Sequence, residues 1–207
     1  MSPIITHEDE LDLAKNEKQL ATQLRKIAKW QRAIGSSQNK IAADLANMNI
    51  ERQKLNRIFR DVINQMQNLV RENRSNVGEE EVSKFQDIIH ANDNYIEANK
   101  TYVTAIKDLA IRKGDLAVRI DLFAEALTEL AAKRKIVIKK ALSLEKSKDK
   151  LIESGKLTAL ENELNDSQRE FDRTRNILLK EIEQFLQVRA ELNDLWLELK
   201  KSISEMS

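Results

Sequence analysis

The chain has 207 residues with 35 basic and 34 acidic side chains, a formal net charge of +1, and only one proline, four glycines and no cysteine. Disulfide and thiol chemistry are thereby excluded, and helix breakers are almost absent. A third of the residues are charged and only 4% are aromatic, the profile of long helices and coiled coils rather than of a disordered chain.

The first predicted element is a helix from about His7 to about Asn73. Its apolar residues recur in threes and fours, as Leu20, Leu24, Ile27, Ile34, Ile41, Leu45, Met48, Leu55, Phe59, Val62, Met66 and Leu69. That spacing keeps one seam of a helix against a partner over many turns. The opening residues of the chain lack a basic start followed by an apolar core, so they do not read as a signal peptide. With no cysteine, a reducing, cytoplasmic setting is expected. The glycosylation sequons at Asn73 and Asn165 are read as chance matches. Within the first helix, Trp30 borders the apolar edge and Arg25, Lys26, Lys29 and Arg32 lie elsewhere, with Lys18 before them. This composition suits an interfacial membrane helix, yet Leu20, Leu24 and Ile27 hold the heptad register without a slip, so core packing is the expected role of the stripe.

Asn73 to Gly78 supply turn residues, and Glu79, Glu80 and Glu81 suit the positive end of a second helix. That helix is expected to run to about Glu153. It carries the stripe Ile96, Val103, Ile106, Ala110, Ala117, Ile120, Ala124, Leu127, Ala131, Ile138. Beside it runs a second stripe at strict sevens: Leu109, Leu116, Phe123, Leu130, Val137, Leu144. Two adjacent seams suit a helix with more than one neighbour. Glu153 to Lys156 are read as the second turn, with Gly155 as a left-handed cap. A third helix is expected over about 157–203, with Leu160, Leu164, Phe171, Leu178, Ile182, Phe185, Leu192, Leu199 and Ile203 inward. Short turns make consecutive helices antiparallel. At about 1.5 Å per residue, helices of this length reach on the order of 100 Å. The fold class is all-α, one domain of three long antiparallel helices in a coiled-coil bundle. Its extra stripes favour a curved dimer, with Gly35-Ser36-Ser37 and Gly114 as kink sites.

Catalytic chemistry is not expected. His7 and His90 have no metal-ligand spacing, no glycine-rich phosphate loop occurs, and the carboxylates fall on charged helix faces. No cofactor and no metal are expected. The charge is uneven, however. From Lys133 to Lys156 there are nine bases (Lys133, Arg134, Lys135, Lys139, Lys140, Lys146, Lys148, Lys150 and Lys156) against three acids, a net +6. The helix dipole accounts for the last two or three bases, not for nine. Such an end suits an anionic lipid surface and, without interleaved aromatics, suits nucleic acid poorly.

Three long antiparallel helices with a basic turn between the second and third resemble a BAR domain, and the details are most similar to the sorting-nexin subgroup. The run from Leu151 to Leu164 resembles that subgroup's turn into its third helix. Phe171, then Leu179-Lys180-Glu181-Ile182-Glu183-Gln184-Phe185 and Arg189, resemble its third-helix signature. Leu109-Ala110-Ile111-Arg112 and Phe123-Ala124-Glu125-Ala126-Leu127 fit more loosely. Position 192 carries leucine where the subgroup has an aromatic, and these 207 residues contain no PX module. The resemblance implies a crescent-shaped homo- or heterodimer, peripheral on endosomal membranes, that senses or tubulates anionic and phosphoinositide-bearing bilayers. It places the tip at Lys146, Lys148, Lys150 and Lys156 and concave-face bases among Lys133, Arg134, Lys135, Lys139 and Lys140. The alternative is a cytoskeletal or scaffold coiled coil that joins proteins without lipid. A secreted or bacterial helical effector ranks third.

Overall fold

The structure is a computed structural model that describes residues 6–73, 79–148 and 154–205. It contains three α-helices: α1 (His7–Asn73), α2 (Glu79–Lys148) and α3 (Ser154–Glu205). No strand occurs among the described residues. Helix α1 starts where Thr6 caps it. The Thr6 hydroxyl accepts a hydrogen bond from the Asp9 amide at 3.2 Å, and the Asp9 carboxylate accepts from the Thr6 amide at 2.8 Å. This reciprocal capping box satisfies two amides that the first helical turn leaves open. It also holds the Asp9 carboxyl below the usual carboxylate range, through its bonds with the Thr6 side chain and backbone.

The expected ends of α1 and the start of α2 agree with the structure. The expected turns at 74–78 and 149–153, and the last residues assigned to the second helix, lie outside the described residues. Gly155 differs from expectation. It lies inside the first turn of α3 and its φ is not in the left-handed region. The reason is that α3 begins three residues earlier than the apolar stripe suggests. First-turn amides have no intrahelical acceptor in any case, and Ser and Gly are no obstacle there.

The described contacts form two compact units. The first combines Met1–Ala33 with Arg112–Glu191, and the second Ile34–Ile111 with Leu192–Ser207. In the first unit, Ala14, Ala21 and Ala28 are fully buried on α1, and Ala117, Ala124 and Ala131 are buried on α2. Each set repeats at seven. Two antiparallel helices that meet through alanines pack closely, near the short end of the roughly 8–10 Å interaxial range. The second stripe of α2 faces α3: Leu116 and Leu130 are buried, and Phe123 stacks against Phe185 with ring centroids 6.0 Å apart. Helix α2 is thus in contact with two neighbours, as its two adjacent seams require.

That seam corrects the expected core of α1. The inward row is Ala14, Ala21, Ala28 and Leu24, not Leu20 and Ile27, which are nearly half exposed. The larger residues are one helical position off the seam. Small residues inside allow the close α1–α2 approach, and that approach leaves the larger row outside.

The second unit follows the same heptads with different chemistry. One apolar cluster joins Ala42 of α1, Val103, Ile106 and Leu109 of α2, and Leu199 of α3. A second joins Ile63, Val82 and Ile89 with Phe59, Met66 and Phe85, from α1 and α2 alone. Between them, beside the buried Ile96, several heptad positions are polar. Asn49 and Asn99 are buried and joined at 2.8 Å. Asn56, 1% exposed, donates to Asp93 at 2.7 Å and accepts from Asn92 at 2.9 Å. Arg52 donates to Asn92 at 2.9 Å and stacks on Tyr95, 3.9 Å from the ring centroid. Polar pairs at such positions cost stability relative to apolar ones, but they fix the register of two helices, because a slip would bury amides without partners.

Candidate anionic-surface interface

The register of α1 against α2 in the first unit is set by polar bridges. Arg25 donates to the Thr128 hydroxyl at 3.1 Å, and Arg32 pairs with Asp121 at 2.5 Å. One step of seven along α1 is matched by one step of seven back along α2. These residues sit four positions after the buried alanines of each helix, on the flank that an antiparallel pair brings together. A further step of seven places Lys18 of α1 across from Lys135 of α2, both exposed. Lys15 and Lys29 flank this row on α1, and Lys139 and Lys146 flank it on α2, all exposed.

The two basic segments that the sequence separates by about a hundred residues therefore share one face. It contains Arg25, Lys29 and Arg32 from α1, and Lys135, Lys139 and Lys146 from α2. Lys26 is exposed beside this face. Trp30 does not join it. Trp30 is 70% exposed and lies three residues from Ile27, on the apolar flank of α1.

The other basic residues between positions 133 and 148 of α2 are engaged within the chain. Arg134 is bound by two carboxylates of α1: it donates to Glu17 at 2.8 and 3.2 Å, and also to Glu10. Its guanidinium lies over Phe171 of α3, 4.9 Å from the ring centroid. Burial opposes its charge, but its hydrogen bonds to Glu17 and Glu10, with the attraction of both carboxylates, outweigh burial and hold its pKa above the ordinary arginine value. Arg134 thus ties the start of α1 to α2 and α3. Lys133 pairs with Glu170 at 2.6 Å, which raises the lysine and lowers the carboxyl relative to their ordinary values. Lys140 meets Glu163 at 3.6 Å, and Lys148 meets Glu161 at 3.3 Å. Lys156 is exposed in the first turn of α3, and Lys150 lies outside the described residues. From Leu157 on the chain has eleven acids against seven bases, and part of that excess accompanies the inner bases of α2.

Sequence reasoning missed Lys15, and it did not join Lys18 to the α2 lysines. The signal was present in the alanine heptads, since the residue four after each buried alanine marks the shared flank.

Helix α1 also has an exposed apolar row opposite this basic flank. In the first unit it comprises Leu13, Leu20 and Ile27; in the second, Ile34, Ile41, Met48 and Leu55 continue the same heptad position. Each is between 40 and 50% exposed. Among the described residues no group of three or more His, Asp or Glu is placed to hold a metal ion, and no helix is long and apolar enough to cross a membrane. Comparison with protein-family models, curated proteins and solved structures found no match.

Proposed function

We propose that the chain is a BAR-like, membrane-curvature module that acts as a dimer and lies on anionic bilayers, in the manner its resemblance to sorting nexins implies. The observation that supports this reading is the division of α1 into two flanks. One flank shares a lysine-rich face with α2, and the other presents a heptad row of half-exposed apolar residues. A continuous heptad row on a helix surface is the pattern that a partner helix covers. A lysine face draws an anionic surface, each Lys or Arg near the bilayer contributing roughly 1 kcal/mol. The two flanks thus divide the work: the apolar row associates, and the basic face meets lipid.

The mechanism is mechanical. A rigid dimer lays its exposed bases on phosphate headgroups, and binding is strongest where the membrane matches its arc. The residues proposed for this contact are Lys135, Lys139 and Lys146 with Arg25 and Lys29, and, from their sequence position, Lys150 and Lys156. Arg32, Lys133, Arg134, Lys140 and Lys148 have intramolecular carboxylate partners and contribute less. Endosomal localisation, and a dimer partner that is a second copy or a related chain, follow from the same reading.

The test is sedimentation velocity combined with vesicle pelleting. The wild-type chain should sediment as a dimer, and Lys135→Glu with Lys139→Glu should lose vesicle binding while remaining dimeric. Vesicle binding that survives this charge reversal overturns the assignment of the face. The scaffold alternative draws support from the same ion pairs: so many bases of α2 are neutralised within the chain that a protein-only coiled coil would show the same inner pairing. Dimerisation without salt-sensitive lipid binding would select it.

A further inference from the structure

The α1–α2 flank of the first unit has three consecutive cross-helix positions. Two are complementary: Arg32 meets Asp121 and Arg25 meets Thr128. The third brings Lys18 opposite Lys135, a like-charged pair. Lys15 stands one turn before Lys18, and Lys139 one turn after Lys135. The positions three and four residues away from Lys18 and Lys135 hold no carboxylate: they are Ala14, Lys15, Ala21 and Thr22 on α1, and Ala131, Ala132, Ile138 and Lys139 on α2. The nearby Glu10 and Glu17 are turned to Arg134. By register Lys18 and Lys135 therefore oppose each other with no carboxylate three or four residues away on either helix; Lys139 and Lys15, which has Asp12 three residues before it, extend the row, while the bases beside them on α2 are supplied with a carboxylate.

We propose that Lys15, Lys18, Lys135 and Lys139 form a single site for a multiply phosphorylated anion, held across the α1–α2 groove. A like-charged pair opposed across a helix–helix flank lowers stability, so an anion placed between its members relieves repulsion and gains several charge-assisted hydrogen bonds at once. A ligand with closely spaced phosphates satisfies more than one ammonium group. A single dispersed charge, such as a carboxylate or an isolated phosphodiester, reaches only one. The chemistry recognised is clustered phosphate, whether on a lipid headgroup or on a soluble polyphosphate. The site deepens the anionic-surface reading and rests on its view of this face, but it requires neither a dimer nor curvature.

The experiment uses the whole chain and inorganic tripolyphosphate, measured by calorimetry and by thermal shift. Lys18→Gln with Lys135→Gln should weaken tripolyphosphate binding by tenfold or more and abolish its thermal stabilisation. Without anion, this variant should melt no lower than wild type, because the repulsion is gone. Lys133→Gln with Lys140→Gln, which alters bases already carboxylate-paired, should leave binding within about twofold. Vesicles carrying a bisphosphorylated inositol lipid, compared with phosphatidylserine vesicles of equal charge, distinguish the sources. A preference for the bisphosphorylated lipid that the Lys18/Lys135 variant loses identifies a headgroup. Tripolyphosphate binding lost without any change on vesicles identifies a soluble ligand. Unchanged tripolyphosphate affinity in the Lys18/Lys135 variant, or equal loss in the Lys133/Lys140 variant, overturns the site. Failure of the wild-type chain to bind any vesicle would instead refute the membrane reading and leave the tripolyphosphate result standing by itself.

Discussion

Replacing Asn49 alone with leucine should destabilise the protein, and replacing Asn49 and Asn99 together should not. The two side chains are 6% and 4% exposed and share one hydrogen bond of 2.8 Å across α1 and α2. In Asn49→Leu the Asn99 amide keeps its burial and loses its partner, which costs about 1–3 kcal/mol. Leucine at position 49 recovers roughly 1 kcal/mol through added apolar burial, so from the middle of that range, about 2 kcal/mol, the expected net loss is about 1 kcal/mol. Asn99→Leu should behave alike. In the double variant no amide is stranded and two leucines meet between the apolar clusters around Ile106 and Ile63, so stability should return to wild type or exceed it by about 1 kcal/mol. The coupling energy is then about 2–3 kcal/mol, at the upper end of values for residues in direct contact. Urea unfolding of the four proteins, compared at a common slope, measures it. Additive losses in the double variant would refute the reasoning, because they would mean that the two amides do not satisfy each other.

Ile41→Ser tests the apolar flank. Ile41 is 50% exposed, so covering it is worth about 1 kcal/mol per copy and about 2 kcal/mol in a twofold dimer; the dissociation constant should rise roughly 30-fold in sedimentation equilibrium. Arg134→Met should lower stability by about 1–3 kcal/mol, since the Glu17 side chain is only 10% exposed and loses its counter-charge; adding Glu17→Gln should restore part of the loss in thermal unfolding. Glu170 should titrate below the ordinary glutamate range by carboxyl-carbon NMR and rise toward it in Lys133→Ala, with Lys140 and Arg173 still lowering it. Because its folded value is depressed, the pair's contribution is present at neutral pH and disappears as pH falls through that lowered value. On the alkaline side, the raised Lys133 value means the contribution is lost only as pH climbs through it.

The helices and much of the packing were legible in the sequence, and the face of α1 was not. Helix ends near Asn73 and Glu79 could be read because turn residues and a run of glutamates mark them. The two seams of α2 could be read because isoleucines, a valine and a leucine accompany the alanines of one and large apolar residues fill the other. On α1, the heptad rule gives a row, not a direction. Leucines and isoleucines form one row and alanines the next, and hydrophobicity favours the former. The close packing of Ala21 and Ala28 against α2 decides for the alanines. The same geometry governs the charged residues. The excess of bases between Lys133 and Lys156 is plain in the sequence. Which of them are neutralised depends on Glu17, Glu161, Glu163 and Glu170, all from other helices. The match of Lys18 to Lys135 needs the helix register, which here is read from Arg25–Thr128 and Arg32–Asp121. Gly155 shows the converse: glycine marks turns often enough to suggest one, yet a first helical turn accommodates it.

The most direct test of the central claim is co-sedimentation of the purified chain with anionic vesicles of small and large diameter, at low and moderate salt. The account predicts binding that prefers one diameter and weakens as ionic strength screens the lysine face. Absence of binding in every condition, or binding indifferent to both salt and diameter, would contradict it.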